Sequence, residues 1–522
     1  MATFTPSDLP PFHNEPFTDF GQPAQAEAFK AALARVRAQL GRSHPNAAGT
    51  RRFQLPATLA STNPARPSEV IGVFPASGAA EADEALAAAE AAFPAWSARP
   101  WEERAQVLLR LAARLRREKH DWSAWLVLEV GKSWAEADGD TAEAIDFCEW
   151  YAREALRYAR GVDVVQTADH NECFYVPLGP GVAIAPWNFP LAILCGMTVS
   201  ALVTGNTVVM KPAEESPTVA WKLYEALLEC GVPAGAVNLL TGPGEVVGAR
   251  LVQSPVTRFI SFTGSKAVGL WITQAAAAVQ PGQRWIKRVI TELGGKDATI
   301  VDASADLEAA AQGTVAAAYG FSGQKCSACS RVIVHEAVYE RFLPLLAERA
   351  RALVVGDPED PRTQVGPVIS QESHARIVAA LAATQADGRR LLGGAAVARD
   401  GWFVQPTVVA DVPPASRLAQ EELFGPVLAV LKARDWEHAL ALGNDTDYGL
   451  TGAVYSRDEA HLEDARKRFH VGNLYLNRKC TGALVGAQPF GGFRLSGTCS
   501  KAGGRDYLGL FLQQKSVARK LG

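Results

Sequence analysis

The chain has no surplus of charge of either sign: 52 lysines and arginines stand against 55 aspartates and glutamates, a formal net charge of −3. That balance leaves no basic footprint for nucleic acid, and the arginine pairs at 116–117 and 389–390 read as solvated helix faces. Cysteine is scarce, eight in 522 residues. Eight scattered cysteines exclude a disulfide framework and read as free thiols in a reducing cytoplasm. Long apolar runs are missing too. The most apolar stretch, 191–203, is shorter than the roughly 18 residues a membrane span needs. The opening Met-Ala-Thr-Phe-Thr-Pro-Ser-Asp has neither the basic start nor the apolar centre of a secretion signal. With no second Cys-x-x-Cys and no histidine cluster, no metal centre is expected.

What is present is an ordinary globular composition, 48% hydrophobic and 20% charged, in a chain long enough for two or three domains. Residues 1–50 read as an appended arm with a helix over 25–40, ending at Gly41. Pro- and Thr-rich 54–75 reads as extended chain. From 81 to 160 the apolar spacing is helical, punctuated by Pro94, Pro100 and Gly131. Short β-branched runs at 181–185, 207–210 and 236–240 then alternate with helical stretches at 191–204, 218–230 and 245–253, the pattern of parallel strands with crossover helices. A second α/β region is expected from near Ile290, with strands at 298–301, 331–334, 427–430, 452–455 and 473–477. Segments 163–177 and 507–517 read as strands outside both blocks and are expected to serve in oligomerisation.

Three side chains carry chemistry. Cys326 lies in Phe-Ser-Gly-Gln-Lys-Cys-Ser-Ala-Cys-Ser, 34 positions after Glu292 of Glu-Leu-Gly-Gly-Lys, and Asn188 sits in Pro-Trp-Asn-Phe-Pro at 186–190. Thiol, carboxylate and amide are the minimum set for acyl chemistry at an aldehyde or ester carbon. A cysteine of ordinary pKa, about 8.5, is mostly thiol at neutral pH and needs activation. Two plainer readings stand beside this one: a buried small residue, or a Cys-x-x-Cys pair with Cys329.

Two glycine turns follow strands. Thr241-Gly-Pro-Gly-Glu-Val-Val-Gly248 resembles a dinucleotide fingerprint with one extra residue before its last glycine. Phe262-Thr-Gly-Ser-Lys-Ala-Val-Gly269 opens another helix, whose first amides and Ser265 hydroxyl suit a phosphate. Lys211 and Glu214, in Lys-Pro-Ala-Glu, end a strand where open α/β sheets place ligands; a solvated loop is the alternative. A carboxylate on a ribose 2′-hydroxyl repels a 2′-phosphate, so Glu214 favours NAD over NADP.

Six motifs occur in order: Pro-Trp-Asn-Phe-Pro, Lys-Pro-Ala-Glu, Phe-Thr-Gly-Ser, Glu-Leu-Gly-Gly-Lys, Gly-Gln-Lys-Cys and Glu-Glu-Leu-Phe-Gly-Pro-Val at 421–427. Together they resemble the aldehyde dehydrogenase superfamily over about residues 55–520. Within it, the arm, Gly-Gln-Lys-Cys-Ser-Ala and Thr481-Gly-Ala-Leu-Val-Gly-Ala-Gln-Pro-Phe-Gly-Gly492 are similar to the members that oxidise glutamate γ-semialdehyde, from 1-pyrroline-5-carboxylate, in proline catabolism.

The resemblance implies roles. Cys326 attacks the aldehyde to give a hemithioacetal, whose oxyanion the Asn188 amide and the Cys326 backbone N–H hold. Hydride passes to nicotinamide, and Glu292 directs water at the thioester. Ile184, Trp187, Lys211, Glu214, Gly244, Gly264, Ser265, Glu422 and Phe424 are the implied NAD contacts. Ser327, Gly482 and Ala483 are the implied carboxylate anchor, with Phe189 and Phe490 flanking the chain and Glu143 a candidate for the substrate ammonium. The implied fold is α/β. After a helical arm at 1–50 come a Rossmann-type NAD domain (51–162 and 179–289), an α/β catalytic domain (290–490) and a small β oligomerisation element (163–178 and 491–522). A homo-oligomer built on dimers is implied, and association with proline dehydrogenase is a possible partner relation. No proline dehydrogenase domain precedes, so the likeness is to the stand-alone form. The competing expectations are an NAD(P)-linked dehydrogenase of another aldehyde, such as succinate semialdehyde or an aliphatic aldehyde, and a catalytically silent member of the fold.

Overall fold

The structure, a computed structural model, describes residues 9–384 and 386–521. The opening octet, Gln385 and Gly522 lie outside the described residues, so the reading of the first eight as lacking a signal has no structural counterpart.

The β-branched runs after residue 180 become a parallel sheet because each strand is buried on both faces and needs no polar alternation. Pro180–Ile184, Thr207–Lys211, Val237–Leu239, Phe259–Thr263 and Arg288–Glu292 lie in the spatial order fifth, fourth, first, second, third. All of their pairings are parallel. These are five of the six strands of a dinucleotide-type sheet, and the strand order reverses between Pro180–Ile184 and Phe259–Thr263. Asn46–Ala48 and Arg51–Phe53 extend the far edge antiparallel.

The second sheet has the order Arg389–Leu392, Thr407–Ala410, Val427–Ala433, Cys329–His335, Asp297–Val301, Thr451–Tyr455, Asn473–Leu476. It is parallel except at its first pair. Separate apolar clusters cover its two faces, one containing Tyr319, Tyr339 and Phe342, the other Ile377, Leu423 and Leu462. Only Leu293–Lys296 separates the last strand of the first sheet from Asp297–Val301 of the second. That short run is where the two sheets are stitched together.

Several expectations need correction. Pro94 does not punctuate. It sits in the last turn of Ala79–Ser97, held there by buried Trp96, whose indole donates to the Leu202 carbonyl at 3.0 Å. Gly131 does stop a helix, as a left-handed cap at φ 73°. The arm is not a helix alone. Its helix is Pro23–Arg37, and Asn46, expected in the arm, is a strand residue because its buried amide bridges Ser77 Oγ at 2.7 Å and Thr241 N at 3.1 Å. The 245–253 helix begins as a wide turn, Gly244–Gly248, before Ala249–Gln253. Strand Arg288–Glu292 crosses the expected 289/290 boundary and belongs to the first sheet.

The two outlying strands pair with each other, Asp169–Pro177 against Leu512–Lys520. The segment expected as strand from 507 is instead a tight turn, Tyr507–Phe511, because Tyr507 stacks on Tyr151 with ring centroids 5.3 Å apart. No helix among the described residues is long and apolar enough to cross a membrane.

The two glycine turns end differently. Gly248 has helical dihedrals (φ −60°, ψ −46°) and open space where a Cβ would go. A Cβ on Gly269 would fall 2.3 Å from Leu293 Cδ2. Gly248→Ala is therefore expected to stabilise the protein by about 0.4–1 kcal/mol, whereas Gly269→Ala should cost about 1–3 kcal/mol through overpacking against the stitch. Denaturant midpoints of the two variants check this, and equal shifts would contradict the packing distinction.

Candidate active site

Where the strand order reverses, an open α/β sheet leaves a crevice at the carboxyl ends of its strands. Ile184 ends one such strand and pairs with Lys211 of the next. Lys211 is buried, and its ammonium reaches Glu214 Oε1 at 3.3 Å. The same oxygen accepts from Gly244 N at 2.9 Å. Lys211, Glu214 and Gly244 thus form one polar cradle at the mouth of the wide turn. Across the reversal, Gly264 N donates to the Glu292 carbonyl at 3.1 Å. Ser265 caps Lys266–Ala277 by accepting from Val268 N. Trp187 meets Phe424 edge to face, centroids 5.5 Å apart, and Phe424 holds a left-handed φ of 53°.

The stitch brings Cys326 to this crevice. A Cβ on Gly295 would lie 2.5 Å from the Cys326 carbonyl oxygen, and one on Gly294 would lie 2.0 Å from Glu422 Oε2. Glu422 Oε1 accepts from Gly295 N at 2.9 Å. Only residues without a side chain let the Cys326 turn and the Glu422 carboxylate approach this backbone so closely. Cys326 sits in a turn closed by Ala328 N donating to the Lys325 carbonyl. Asn188 is buried beside it, its Nδ2 donating to the Gln324 carbonyl at 3.0 Å.

The electrostatics oppose a resting thiolate. Burial, then the carboxyls of Asp297, Glu422 and Glu292, push the Cys326 thiol well up. Glu292 is itself pushed up to about 7 by burial, although Ser500 Oγ (2.6 Å), Ser500 N (3.2 Å) and Gly492 N (3.3 Å) donate to it. Glu422 is likewise raised to about 7 by burial. A thiol that keeps its proton, next to a carboxyl poised near neutrality, can exchange that proton without a large penalty.

On the far side, Ser327 follows Cys326, and its carbonyl accepts from Thr451 Oγ1 at 3.4 Å. Gly482 has φ 83°, with Ala483 after it. Phe490 pairs with Ala502 through two backbone hydrogen bonds. Phe189 lies with the Lys132 ammonium 3.7 Å from its ring centroid. Glu143 is half-buried, raised to about 8 by burial and by Asp140. Lys325, the residue before Cys326, pairs with Glu136, whose carboxylate lies 2.6 Å from Lys325 Nζ. Glu136, Asp140 and Glu143 recur at helical spacing on Trp134–Tyr158, a signal legible in the sequence. Ser500 and Gly492 were expected in the oligomerisation element. They lie instead in a loop folded back on Glu292, which no local pattern announces.

A profile of the aldehyde dehydrogenase family matches residues 53–517. The chain belongs to the aldehyde dehydrogenase family. It is 54% identical to a 1-pyrroline-5-carboxylate dehydrogenase from Geobacillus thermodenitrificans, over 97% of this chain and 99% of that one. A solved 1-pyrroline-5-carboxylate dehydrogenase from Thermus with bound NAD superposes with a TM-score of 0.97 at 51% identity, covering 98% of this chain and 100% of the other. A proline utilization A from Bdellovibrio bacteriovorus superposes with a TM-score of 0.96 at 43% identity, this chain covering 53% of it.

In this aldehyde dehydrogenase, Gly295→Ala drives a methyl into the Cys326 carbonyl. The expected outcome is a folded protein whose kcat falls about 100-fold, the usual loss when reacting groups shift by about 1 Å. Turnover and circular dichroism of the variant decide it: wild-type kcat would show that the close approach has no catalytic weight.

Proposed function

We propose that the chain oxidises L-glutamate γ-semialdehyde, the open form of 1-pyrroline-5-carboxylate, to L-glutamate with NAD, as the second step of proline catabolism. The observation carrying this reading is the Leu293–Lys296 stitch, which sets Cys326 and Glu422 against one backbone at the mouth of the nucleotide-type crevice. Relatives bearing that activity in their names are more than 50% identical over nearly the whole chain.

The cradle fits NAD. Gly244 N and Lys211 converge on the Glu214 carboxylate, which is free to accept from a ribose 2′-hydroxyl and repels a 2′-phosphate. Ile184, Gly264 and Ser265 would line the adenosine and phosphate side, and Trp187, Glu422 and Phe424 the nicotinamide side. Bound there, NAD supplies a hydride acceptor.

The Cys326 thiol gives up its proton to solvent as it attacks the aldehyde carbon, forming the C–S bond of a hemithioacetal. The Asn188 amide and the Cys326 N–H hold the oxyanion. After oxidation Cys326 carries a thioester. Glu292 takes a proton from water as the water attacks the thioester carbon and hands it to the sulfur as the C–S bond breaks, so the Cys326 thiol is regenerated and the product leaves as its carboxylate, the acid proton passing to solvent. The Ser327 hydroxyl and the amides around Gly482 and Ala483 hold the substrate α-carboxylate, the left-handed Gly482 turning successive N–H groups toward one point as an anion nest. Phe189 and Phe490 flank the aliphatic chain. Glu143, neutral at rest, ionises when the substrate ammonium arrives.

The ribbon of Asp169–Pro177 and Leu512–Lys520 is exposed along almost all of its second strand, which supports a dimer as the building block. The free state of all eight cysteines supports a cytoplasmic setting, and the likeness to proline utilization A supports a working link to proline dehydrogenase.

Glu292→Gln should give a stoichiometric burst of reduced cofactor and a steady rate lowered about 100-fold or more. Because the Glu292 carboxyl titrates at about 7, the wild-type deacylation rate should rise as pH climbs through that value and the variant's should not. An unchanged steady rate would remove Glu292 as the base. The substrate assignment is checked by comparing kcat/KM on 1-pyrroline-5-carboxylate, succinate semialdehyde and hexanal. Preference for the first is expected, and equal values would favour the general aldehyde dehydrogenase reading over the carboxylate anchor.

A further inference from the structure

Lys132 is the most deeply buried cation of the chain's interior that no step above uses. It follows the left-handed cap Gly131, its side chain has no solvent exposure, and its ammonium lies 2.9 Å from Asp140 Oδ2, also fully buried. Beyond Asp140, the ammonium faces aromatic rings: Phe189 with its centroid at 3.7 Å and Phe321 with its centroid at 4.8 Å. A cation within about 6 Å of a ring face is attracted to it, the more so where water is excluded. The other Asp140 oxygen accepts from Ala192 N at 2.7 Å, the first amide of the helix Ala192–Val203.

These contacts reach both halves of the reaction centre. Phe189 is the residue after Asn188, and Ala192 begins the helix that ends the Asn188 loop. Phe321 stands five residues before Cys326. Phe321 and Ser322 both hold left-handed backbone, φ 49° and 57°, a conformation that persists in non-glycine residues only when the surroundings impose it. Burying an ion pair is not an economical way to fill space, since an apolar pair of the same volume is often as stable or more so. A pair that engages a ring from each loop and one helix N-terminus fixes geometry instead.

We infer that Lys132 and Asp140 form a positioning pair for the oxyanion site, the Lys132 ammonium clamping Phe189 of the Asn188 loop and Phe321 of the Cys326 loop in one arrangement. Neither residue touches the reacting atoms. Both act through the rings and through Ala192. The inference rests on the proposed role of Asn188 as oxyanion donor.

The test uses the full chain carrying Lys132→Met and Asp140→Asn together, which removes both charges at similar volume and keeps an acceptor for Ala192 N–H. The expected result is a kcat for aldehyde oxidation about tenfold or more below wild type, the scale on which small misplacements act. NAD affinity by titration and the thermal midpoint should stay close to wild type, because the ribose cradle of Lys211, Glu214 and Gly244 is held by its own contacts. A kcat within twofold of wild type overturns the inference, and so does a loss of NAD affinity in step with kcat, which marks a general structural role. Should the double variant not fold, Phe321→Leu leaves the ion pair in place and removes one clamped ring. A fall in kcat without a fall in NAD affinity supports the clamp, and an unchanged kcat overturns it. Asn188→Ala measured alongside separates the two readings: full activity in that variant sinks the oxyanion role itself, whereas loss there with full activity in the double variant sinks only the clamp.

Discussion

The stitch between the two sheets is the constraint on which the rest of the molecule depends. Four residues, Leu293–Lys296, carry the chain from the edge of one sheet to the interior of another, so they are a short path by which a nucleotide-type crevice and Cys326 can share a wall. Gly294 and Gly295 matter because the carboxylate of Glu422 and the carbonyl of Cys326 occupy the space their side chains would need. Leu293 anchors the same run by packing on Gly269. The backbone between two domains is thereby also the floor of the reaction site.

That geometry sets an electrostatic problem. Three carboxyl groups, Asp297, Glu422 and Glu292, surround a thiol that burial already disfavours as an anion. A permanently ionised sulfur is therefore not what the site stabilises. Asp297 is pushed well up by burial, and Glu422 and Glu292 sit near neutrality for the same reason. Such a cluster holds protons loosely and redistributes them when a positively charged ring or a reacting carbonyl enters. It suits a nucleophile that must be inert at rest and regenerated as a thiol in each turnover.

Much of this was legible in the residues. Periodicity gave the parallel strands and their helices because burial on both faces leaves a continuous apolar run, and the motifs marked Cys326, Glu292, Asn188 and the Lys211–Glu214 loop through their chemistry. What escaped was whatever depends on distant partners. Pro94 reads as a break because its lost N–H is a local fact, whereas the Trp96 anchor is not. Ser500 and Gly492 lie in a glycine-rich run with no period, yet the fold sets them on the Glu292 carboxyl. Glu136 and Asp140 are the instructive case, since with Glu143 they recur at helical spacing on Trp134–Tyr158, a pattern that puts three acids on one face.

The same helix, Trp134–Tyr158, shows why the N-terminal segment is not an appendage. Its other acids point the opposite way: Asp138 accepts from Thr18 N at 2.8 Å and Thr18 Oγ1 at 2.6 Å, and Asp146 accepts from Asn14 Nδ2 and Glu15 N, both at 2.7 Å. Asn14 also donates to the Val485 carbonyl at 3.0 Å, and Phe12 lies edge-on to Trp150 against Gly486. The arm thus ties the acid-bearing helix to the loop that contains Gly482 and Ala483. The proposed carboxylate anchor, made of backbone amides, requires a loop that cannot drift, since each N–H must stay aimed at one point. One helix accordingly serves two purposes: its inner acids order the nucleophile side of the site, and its outer acids hold the strap that keeps the opposite wall in place.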